Sequence, residues 1–184
     1  MRDLTAMTHA ALAALADRLP CKVIKGDDGT PYLERYYLGP CHPEPDGGAG
    51  RMYLHRFVGS DPDRGLHDHP WDYASSQILT GRYEEQRGGA DQPTASPARL
   101  LRVHGGFYHL NRWTWHRVVL IDDPVTHPVW TLFTHGPYRH PWGFHRGGVY
   151  TEAAPGPGAR ATDDIDWPAT APLGAEHPDR LRRA

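Results

Sequence analysis

The amino-acid sequence predicts an all-β domain, either a sandwich or a small barrel, preceded by one short helix. Between residues 51 and 150, short apolar and aromatic segments recur between turn residues, which is typical of sandwiches and barrels. Strand and helix patterns do not alternate there, so an α/β fold is not indicated. The chain of 184 residues is long enough for one domain with a substantial core.

Composition and charge argue against several classes of protein. A formal net charge of −2 and a pI near 6.7 do not suit a nucleic-acid-binding protein. No apolar run approaches the roughly 20 residues that a membrane-spanning helix needs. The two cysteines, Cys21 and Cys41, are too few for a disulfide scaffold. We therefore expect a cytoplasmic protein that binds a small molecule and neither nucleic acid nor membranes.

The first fifty residues predict a helix, a hairpin and a loop. Residues 3–19 place apolar side chains three and four positions apart, and Pro20 ends the run, so we expect an amphipathic helix. Residues 21–39 form two strand-like segments on either side of a Gly-Asp-Asp-Gly turn. Residues 41–50 have the composition of a loop.

The last segment differs in composition from the rest of the chain. Residues 151–184 are rich in Ala, Pro, Gly and Asp, and Trp167 is their one bulky apolar side chain. We expect an irregular tail laid across the barrel and anchored by Trp167. The predicted division is an N-terminal helix and arm (1–24), a β-barrel (25–150) and this tail (151–184).

Histidines are the residues that carry chemistry. In "GLHDHPWDY", His67 and His69 are separated by one residue, so on a strand both side chains point to the same face and suit adjacent positions on a metal ion. The alternative is that they are surface or turn residues before Pro70. His116, in "NRWTWHRVVLI", begins a strongly β-forming segment. It is a candidate third ligand, the alternative being a hydrogen-bonded core histidine.

These motifs resemble the cupin superfamily of small metal-binding β-barrels. Cupins have a His-x-His pair, a turn glycine and, in a second motif, another histidine; His67 and His69 match the pair, Gly81 the turn glycine and His116 the later histidine. The chain is also similar to a cupin subgroup with H-x-HPW and "WTLF…GP…WGF" strings, the second being "WTLFTHGPYRHPWGF" at residues 130–144.

The resemblance covers residues 51–150 and implies a double-stranded β-helix, or jelly-roll barrel. The glutamate that usually follows the pair falls at Ala74, which cannot bind a metal. The resemblance then implies a three-histidine site, as in the thiol and diketone dioxygenases of the superfamily. Asp72 is an alternative fourth ligand or a partner of the ligands. Regular alternation places Asp72 on the opposite face unless a bulge near Pro70 brings it round.

Three neutral imidazoles bind Fe(II), Zn(II), Ni(II) and Cu(II), so the ligands alone do not select the metal. We expect Fe(II) and an oxygenase, a dioxygenase or hydroxylase, that acts on a small carboxylate-bearing substrate; whether 2-oxoglutarate is a co-substrate stays open. One alternative is a zinc or nickel isomerase, epimerase or lyase, with Tyr73, Glu84 or Glu85 as the catalytic base. Another is a cupin that binds a small molecule without catalysis.

Aromatic side chains near the proposed ligands are candidates for the pocket wall. We expect Trp142, Trp71 and Trp115 to line it, the alternative being that they only fill the barrel interior. Of the other histidines, His55 and His135 are the ones expected to approach the cavity.

Arginine suits the binding of a substrate carboxylate, because its guanidinium can pair with both oxygens. Arg56, on the strand before the histidine pair, and Arg139 are the first candidates, followed by Arg82 and Arg117. For each of them the alternative is a solvated or ion-paired surface residue. The resemblance also implies a homodimer formed through edge strands or the N-terminal arm, unless the helix packs on its own barrel.

Overall fold

A computed structural model describes residues 3–43, 49–88, 97–153 and 163–181. Strands dominate this part of the chain, and two short α-helices accompany them. The helices are α1 (His9–Ala16) and α2 (Asp163–Thr170). The strands are β1 (Cys21–Lys25), β2 (Pro31–Pro43), β3 (Ala49–Phe57), β4 (Leu66–His67), β5 (Ala74–Thr80), β6 (Arg82–Gly88), β7 (Ala98–Val103), β8 (Phe107–Leu110), β9 (Trp115–Leu120), β10 (Val129–His135), β11 (Gly143–Arg146) and β12 (Val149–Glu152).

The strands form two antiparallel sheets of six strands each within the described residues. The first sheet has the order β1-β2-β3-β10-β5-β8, and the second has the order β12-β11-β4-β9-β6-β7. Some neighbours, such as β3 and β10 or β4 and β11, are distant in sequence, so hydrogen bonds join segments from opposite ends of the barrel region. This is the jelly-roll arrangement that the sequence predicts, and the prediction of an all-β fold is confirmed.

The outer face of the first sheet is covered by α1. Leu12, Ala13 and Ala16 pack with Tyr36 and Trp130 in one fully buried cluster. The helix therefore packs on its own barrel, which was one of the two predicted placements. Burying this apolar stripe removes it from water and stabilises the helix, which is too short to be stable alone.

The predicted helix over residues 3–19 is too long. The structure has a single 3-10 turn at Leu4–Ala6, then a break, and then α1. Thr8 causes the break, because its backbone is extended and its Oγ1 accepts a hydrogen bond from the Ala11 N–H at 3.3 Å. A threonine in this position begins a new helix rather than continuing the old one.

The hairpin predicted over residues 21–39 is confirmed as β1 and β2. The loop predicted over 41–50 is wrong at both ends, because β2 continues to Pro43 and β3 begins at Ala49; residues 44–48 lie outside the described residues. The predicted boundary between residues 24 and 25 falls inside β1, all of which pairs with β2.

The tail is more regular than its composition indicates. The prediction of an irregular segment is wrong for β12, which pairs with β11, and for α2. Trp167 is 9% exposed and its ring lies 6.2 Å from the rings of both Tyr37 and Tyr53. The large apolar area of this side chain supplies an apolar contact with the first sheet, and backbone hydrogen bonds from Cys21 to Pro172 and from Gly174 to Leu19 also hold the segment.

Two glycines allow close approaches that shape the barrel. Gly65 has φ +95°, and a Cβ there would lie 2.4 Å from the His145 carbonyl oxygen, so glycine is required where the chain enters β4. Gly81 has φ +72° in the turn between β5 and β6, where a Cβ would lie 2.9 Å from the Pro128 carbonyl oxygen. In the described part of the chain, neither helix is long and apolar enough to cross a membrane.

Candidate metal centre

The inner faces of the two sheets enclose a cavity of about 1100 Å³. Because side chains alternate along a strand, each strand that faces it contributes every second residue. The first sheet supplies Arg35, Tyr53, His55, Thr131 and Phe133, and the second sheet supplies Tyr83, Glu85 and His116. The cavity is therefore lined by aromatic rings together with histidine and charged side chains, a combination of apolar walls and polar groups that can orient a small molecule.

Three histidines meet on the side of this cavity formed by the second sheet. His67 on β4 lies directly opposite His116 on β9, and His69 follows two residues after His67. One ring nitrogen from each of the three lies within 4.8 Å of the others, and the Nε2 atoms of His69 and His116 are 2.9 Å apart. The structure thus brings together His67, His69 and His116, although two of them come from one segment and the third from another.

The spacing of the nitrogen atoms suits a shared metal ion. Metal–imidazole bonds of about 2.0–2.1 Å at right angles place two nitrogens about 3 Å apart. The separation of 2.9 Å between the Nε2 atoms of His69 and His116 agrees with two adjacent positions on one ion. Three ligands of this kind on one side of an ion leave its other positions open.

Asp68 fixes the backbone that carries the histidine pair. Its Oδ1 accepts a hydrogen bond of 2.6 Å from the Gly143 N–H, and its own N–H donates to the Gly143 carbonyl oxygen at 3.2 Å. The carboxylate is 9% exposed, and its burial raises its pKa. This double connection ties the end of β4 to β11, so His67 and His69 leave the same rigid corner of the second sheet.

Glu85 orients the third histidine. Its Oε1 accepts a hydrogen bond of 2.8 Å from Nδ1 of His116. Burial acts to raise the pKa of Glu85, but the hydrogen bond from His116 and the charges of His116 and Arg87, together with a hydrogen bond from Arg102, outweigh it and lower the pKa to about 2. An ionised carboxylate can only accept, so Nδ1 of His116 carries a hydrogen, which leaves Nε2 as the nitrogen through which this ring could bind a metal ion.

Burial keeps the histidine pair neutral. The pKa of His67 is lowered well below 6.5 by burial and by the charges of His116 and Arg64. The pKa of His69 is lowered well below 6.5 by burial and by the charges of neighbouring histidines and Arg35. A metal ion binds the neutral imidazole, so both side chains are in their ligating form at neutral pH.

Comparison with known proteins gives a likeness of fold. No protein-family model matches the sequence, and no curated protein matches it significantly. Among solved structures, the iron(II) form of HppE in complex with substrate has 14% sequence identity and a TM-score of 0.50, covering 65% of this chain and 57% of the HppE chain. The chain thus spans little more than half of that protein. At this identity the likeness concerns the fold alone.

This protein has the cupin fold. A cupin-2 domain protein from Rhodospirillum rubrum has 16% identity and a TM-score of 0.49, covering 70% of this chain and 76% of its own. A variant of oxalate decarboxylase from Bacillus subtilis has 13% identity and a TM-score of 0.44, covering 66% of this chain and 29% of its own. The two six-stranded antiparallel sheets themselves confirm the predicted jelly-roll fold.

Asp72 and Tyr73 lie away from the three-histidine side of the cavity. The Asp72 carboxylate is half exposed and accepts a hydrogen bond of 2.8 Å from Nε2 of His140. It is not among the residues that converge with the three histidines, because the chain bends at residues 70–72 after β4 and places Asp72 beside His140. Tyr73 is 41% exposed, does not line the cavity, and packs over Gly136. The predictions of a ligand at Asp72 and of a catalytic Tyr73 are therefore wrong.

Two of the three predicted tryptophans lie in the cavity wall. Trp71 stacks on His69 with ring centroids 5.1 Å apart, and Trp142 lies 6.5 Å from the His67 ring at a steep angle. The prediction for Trp115 is wrong, because its ring lies against His145 and Tyr150 outside the cavity. Trp115 precedes His116 on β9, so strand alternation turns the two side chains to opposite faces.

The predicted substrate-binding arginines have different positions. Arg139 lines the cavity. Arg56 does not: it lies on the outer face of the first sheet, 3.4 Å from the buried Glu34 carboxylate, and donates to the Leu181 carbonyl oxygen at 3.1 Å. That prediction is wrong because His55, the residue before Arg56, takes the inward position. Arg82 and Arg117 pair with Asp122 and Asp63 and do not line the cavity.

Sequence reasoning missed two features of the site. Glu85 was considered only as a base, yet it is bonded to His116 and to two arginines, while Glu84 faces outward and pairs with Arg99. Arg35 was not considered, although it lines the cavity and its Nε donates to Nε2 of His55 at 3.1 Å. No local sequence signal distinguishes Arg35 from the other arginines, since its role depends on which face of β2 is turned toward the cavity.

Proposed function

We propose that this cupin is an Fe(II)-dependent oxygenase that acts on a small carboxylate-bearing substrate, with His67, His69 and His116 as the metal ligands. The observation that carries the proposal is the convergence of three imidazole nitrogens in a cavity, with Nε2 of His69 and His116 2.9 Å apart. A bound Fe(II) ion would supply the redox chemistry that O₂ activation needs and open positions beside three fixed ligands.

The residues around the cluster prepare it for such an ion. Glu85 holds the His116 ring in one tautomer and supplies a negative charge behind it, which strengthens a histidine as a ligand. Trp71 and Trp142 cover the cavity beside His69 and His67. Large aromatic walls exclude water from the space in front of the ligands, so electrostatic interactions there are stronger than in solution.

The charges of the cavity favour an anionic substrate. Six basic residues line it, whereas only two acidic residues do so. The basic residues are Lys22, Lys25, Arg35, Arg51, Arg64 and Arg139. Both acidic groups are already engaged: Glu85 bonds to His116, and Asp61 accepts a hydrogen bond of 2.7 Å from the Val118 N–H. Two of the basic residues, Lys25 and Arg64, pair with Asp179 and Asp27, which do not line the cavity. The lining itself therefore carries an excess of positive charge toward an entering carboxylate.

The alternative of a zinc or nickel isomerase, epimerase or lyase has less support. Of its proposed bases, Tyr73 lies outside the cavity lining, Glu84 faces outward, and Glu85 is held by His116, Arg87 and Arg102. A carboxylate with a pKa of about 2 is a weak proton acceptor at neutral pH.

Metal analysis of the purified protein, followed by O₂ consumption, tests the proposal. We expect one iron per chain after reconstitution with Fe(II) under anaerobic conditions, and O₂ uptake that depends on an added carboxylate substrate. Tight stoichiometric zinc that Fe(II) does not replace, without O₂ uptake, would favour the zinc enzyme instead. A protein that binds no metal stoichiometrically would leave a cupin that binds a small molecule without catalysis, and the proposal would fail.

A further inference from the structure

We propose that three side chains on the inner face of the first sheet, Arg35, His55 and Thr131, form the binding site for the substrate carboxylate. We call this set the Arg35 rung. It lies in the same cavity as the three-histidine cluster but on the other sheet. That the bound carboxylate belongs to a substrate rests on the proposed function. That a carboxylate binds here is inferred from the three side chains of the rung.

Strand register makes the rung continuous. Arg35 on β2 lies directly opposite His55 on β3, and His55 lies directly opposite Thr131 on β10. All three side chains line the cavity. Directly paired residues on one face of an antiparallel sheet have Cβ atoms about 5 Å apart, so the three polar groups follow one another across the sheet. A single anionic group can contact more than one of them.

Arg35 is the cationic member of the rung. Its Nε donates to Nε2 of His55 at 3.1 Å, and its guanidinium carbon lies 5.0 Å above the Tyr53 ring. These contacts fix the plane of the guanidinium while using only one of its nitrogens. Among the described residues, no carboxylate forms an ion pair with Arg35. By contrast, Arg64 in the same cavity pairs with Asp27 at 3.0 Å.

The other two members offer hydrogen-bond donors. Because Nε2 of His55 accepts from Arg35, a neutral His55 carries its hydrogen on Nδ1. Burial and the charge of Arg35 lower the pKa of His55 well below 6.5, so the ring is neutral. Thr131 is 1% exposed, and its Oγ1 is buried without a hydrogen-bond partner in the described part of the chain. Buried hydroxyls without a hydrogen-bond partner are rare, because the free energy of removing the hydroxyl from water is then not compensated.

A path of ring contacts links the rung to the metal-binding side. His55 stacks on Phe133 with centroids 5.0 Å apart, Phe133 contacts Trp71 at 5.6 Å, and Trp71 stacks on His69 at 5.1 Å. A substrate whose carboxylate rests on the rung would therefore extend along aromatic walls toward the three histidines.

This geometry predicts the form of the ligand. A guanidinium with two free nitrogens pairs with both oxygens of a planar carboxylate, and the rings of Tyr53, Phe133 and Trp71 accept an apolar or aromatic body next to it. We infer a carboxylate attached to an apolar group, with the position to be oxidised at the far end from the carboxylate.

Binding to the metal-free protein tests the rung without reference to catalysis. The full chain, treated with chelator, is titrated calorimetrically with 3-phenylpropionate and with the uncharged 3-phenylpropionamide, which has nearly the same shape. We expect the carboxylate to bind and the amide to bind at least tenfold more weakly. In Arg35→Gln the affinity for the carboxylate should fall about 10- to 100-fold, with little change for the amide. Arg35→Lys keeps the charge but loses the planar guanidinium, so its affinity for the carboxylate should lie between those of the wild type and Arg35→Gln.

Arg82→Gln is the matched control, because Arg82 is exposed, pairs with Asp122 and does not line the cavity. It removes the same charge and should bind the carboxylate as the wild type does. If Arg35→Gln does not fold, Arg35→Lys and the amide still test the site. Equal binding of carboxylate and amide by the wild type, or an unchanged affinity in Arg35→Gln, would overturn the rung.

A guanidinium also pairs with phosphate, so 2-phenylethyl phosphate is titrated in parallel. Tighter binding of the phosphate than of the carboxylate would overturn the assignment to carboxylates. The outcome is independent of the metal proposal: carboxylate binding that depends on Arg35 in a protein unable to hold iron would leave the rung in place and refute the oxygenase.

Discussion

Glu85→Gln separates charge from shape at the three-histidine cluster. Glutamine keeps the size of the side chain, but it replaces a carboxylate that bonds to His116, Arg87 and Arg102. The lowering of the Glu85 pKa from 4.5 to about 2 corresponds to ~3 kcal/mol of interactions that favour its charged form. Because Glu85 is 2% exposed, solvent screens this energy little.

Two consequences are expected for Glu85→Gln. The two arginines lose their buried partner, so the free energy of unfolding of the metal-free protein should fall by about 2–3 kcal/mol. His116 loses the acceptor that fixes its tautomer, so the affinity for Fe(II) or Zn(II) should fall about 10- to 100-fold. Urea unfolding measures the first effect, and competition with a chelator of known affinity measures the second.

The neighbouring Glu84→Gln is the matched control for this experiment. Glu84 lies on the same strand but faces outward, where it pairs with the exposed Arg99 at 2.8 Å. Surface pairs of this kind contribute at most about 1 kcal/mol, so both stability and metal affinity should stay close to those of the wild type. Metal affinity in Glu85→Gln equal to that in Glu84→Gln would refute the role assigned to Glu85.

Three further changes have defined outcomes. His69→Ala and His116→Ala should each abolish stoichiometric metal binding while the circular dichroism of the barrel persists; full metal content in either variant would contradict the ligand assignment. In the metal-free protein, stability should fall as the pH drops below about 6.5, because the unfolded chain then binds protons that buried, neutral His55 and His69 do not. Each contributes up to ~1.4 kcal/mol per pH unit, and chemical unfolding at pH 7 and pH 6 that gives equal stability would count against it. Arg56→Ala should cost about 3 kcal/mol in urea unfolding, since it removes a partner of the fully buried Glu34; a loss below 1 kcal/mol would show that the partners left to this carboxylate, the Tyr36 hydroxyl, the Leu181 N–H and Arg180, suffice without Arg56.

The sequence by itself determined the features that depend on short-range periodicity. The His-x-His spacing predicts that His67 and His69 point to the same side, because every second side chain along an extended chain shares a face. The same rule turns Trp115 away from His116, and the prediction that Trp115 lines the pocket is wrong because it did not apply that rule. The predicted all-β fold follows from the same repeating pattern of strands and turns. Helix length was less accessible, because the break at Thr8 depends on a hydrogen bond between its side chain and the Ala11 N–H.

The tertiary structure alone decided which residues share the cavity. Both faces of β3 are buried, one by the cavity and the other by α1 and the C-terminal segment, so hydrophobicity does not mark its inward side. That is why Arg56 could be predicted as a substrate ligand while Arg35, on the neighbouring strand, faces the cavity. The contact between Glu85 and His116 joins positions 31 residues apart. Such contacts depend on the pairing of distant strands, which packing over the whole barrel fixes and local sequence does not.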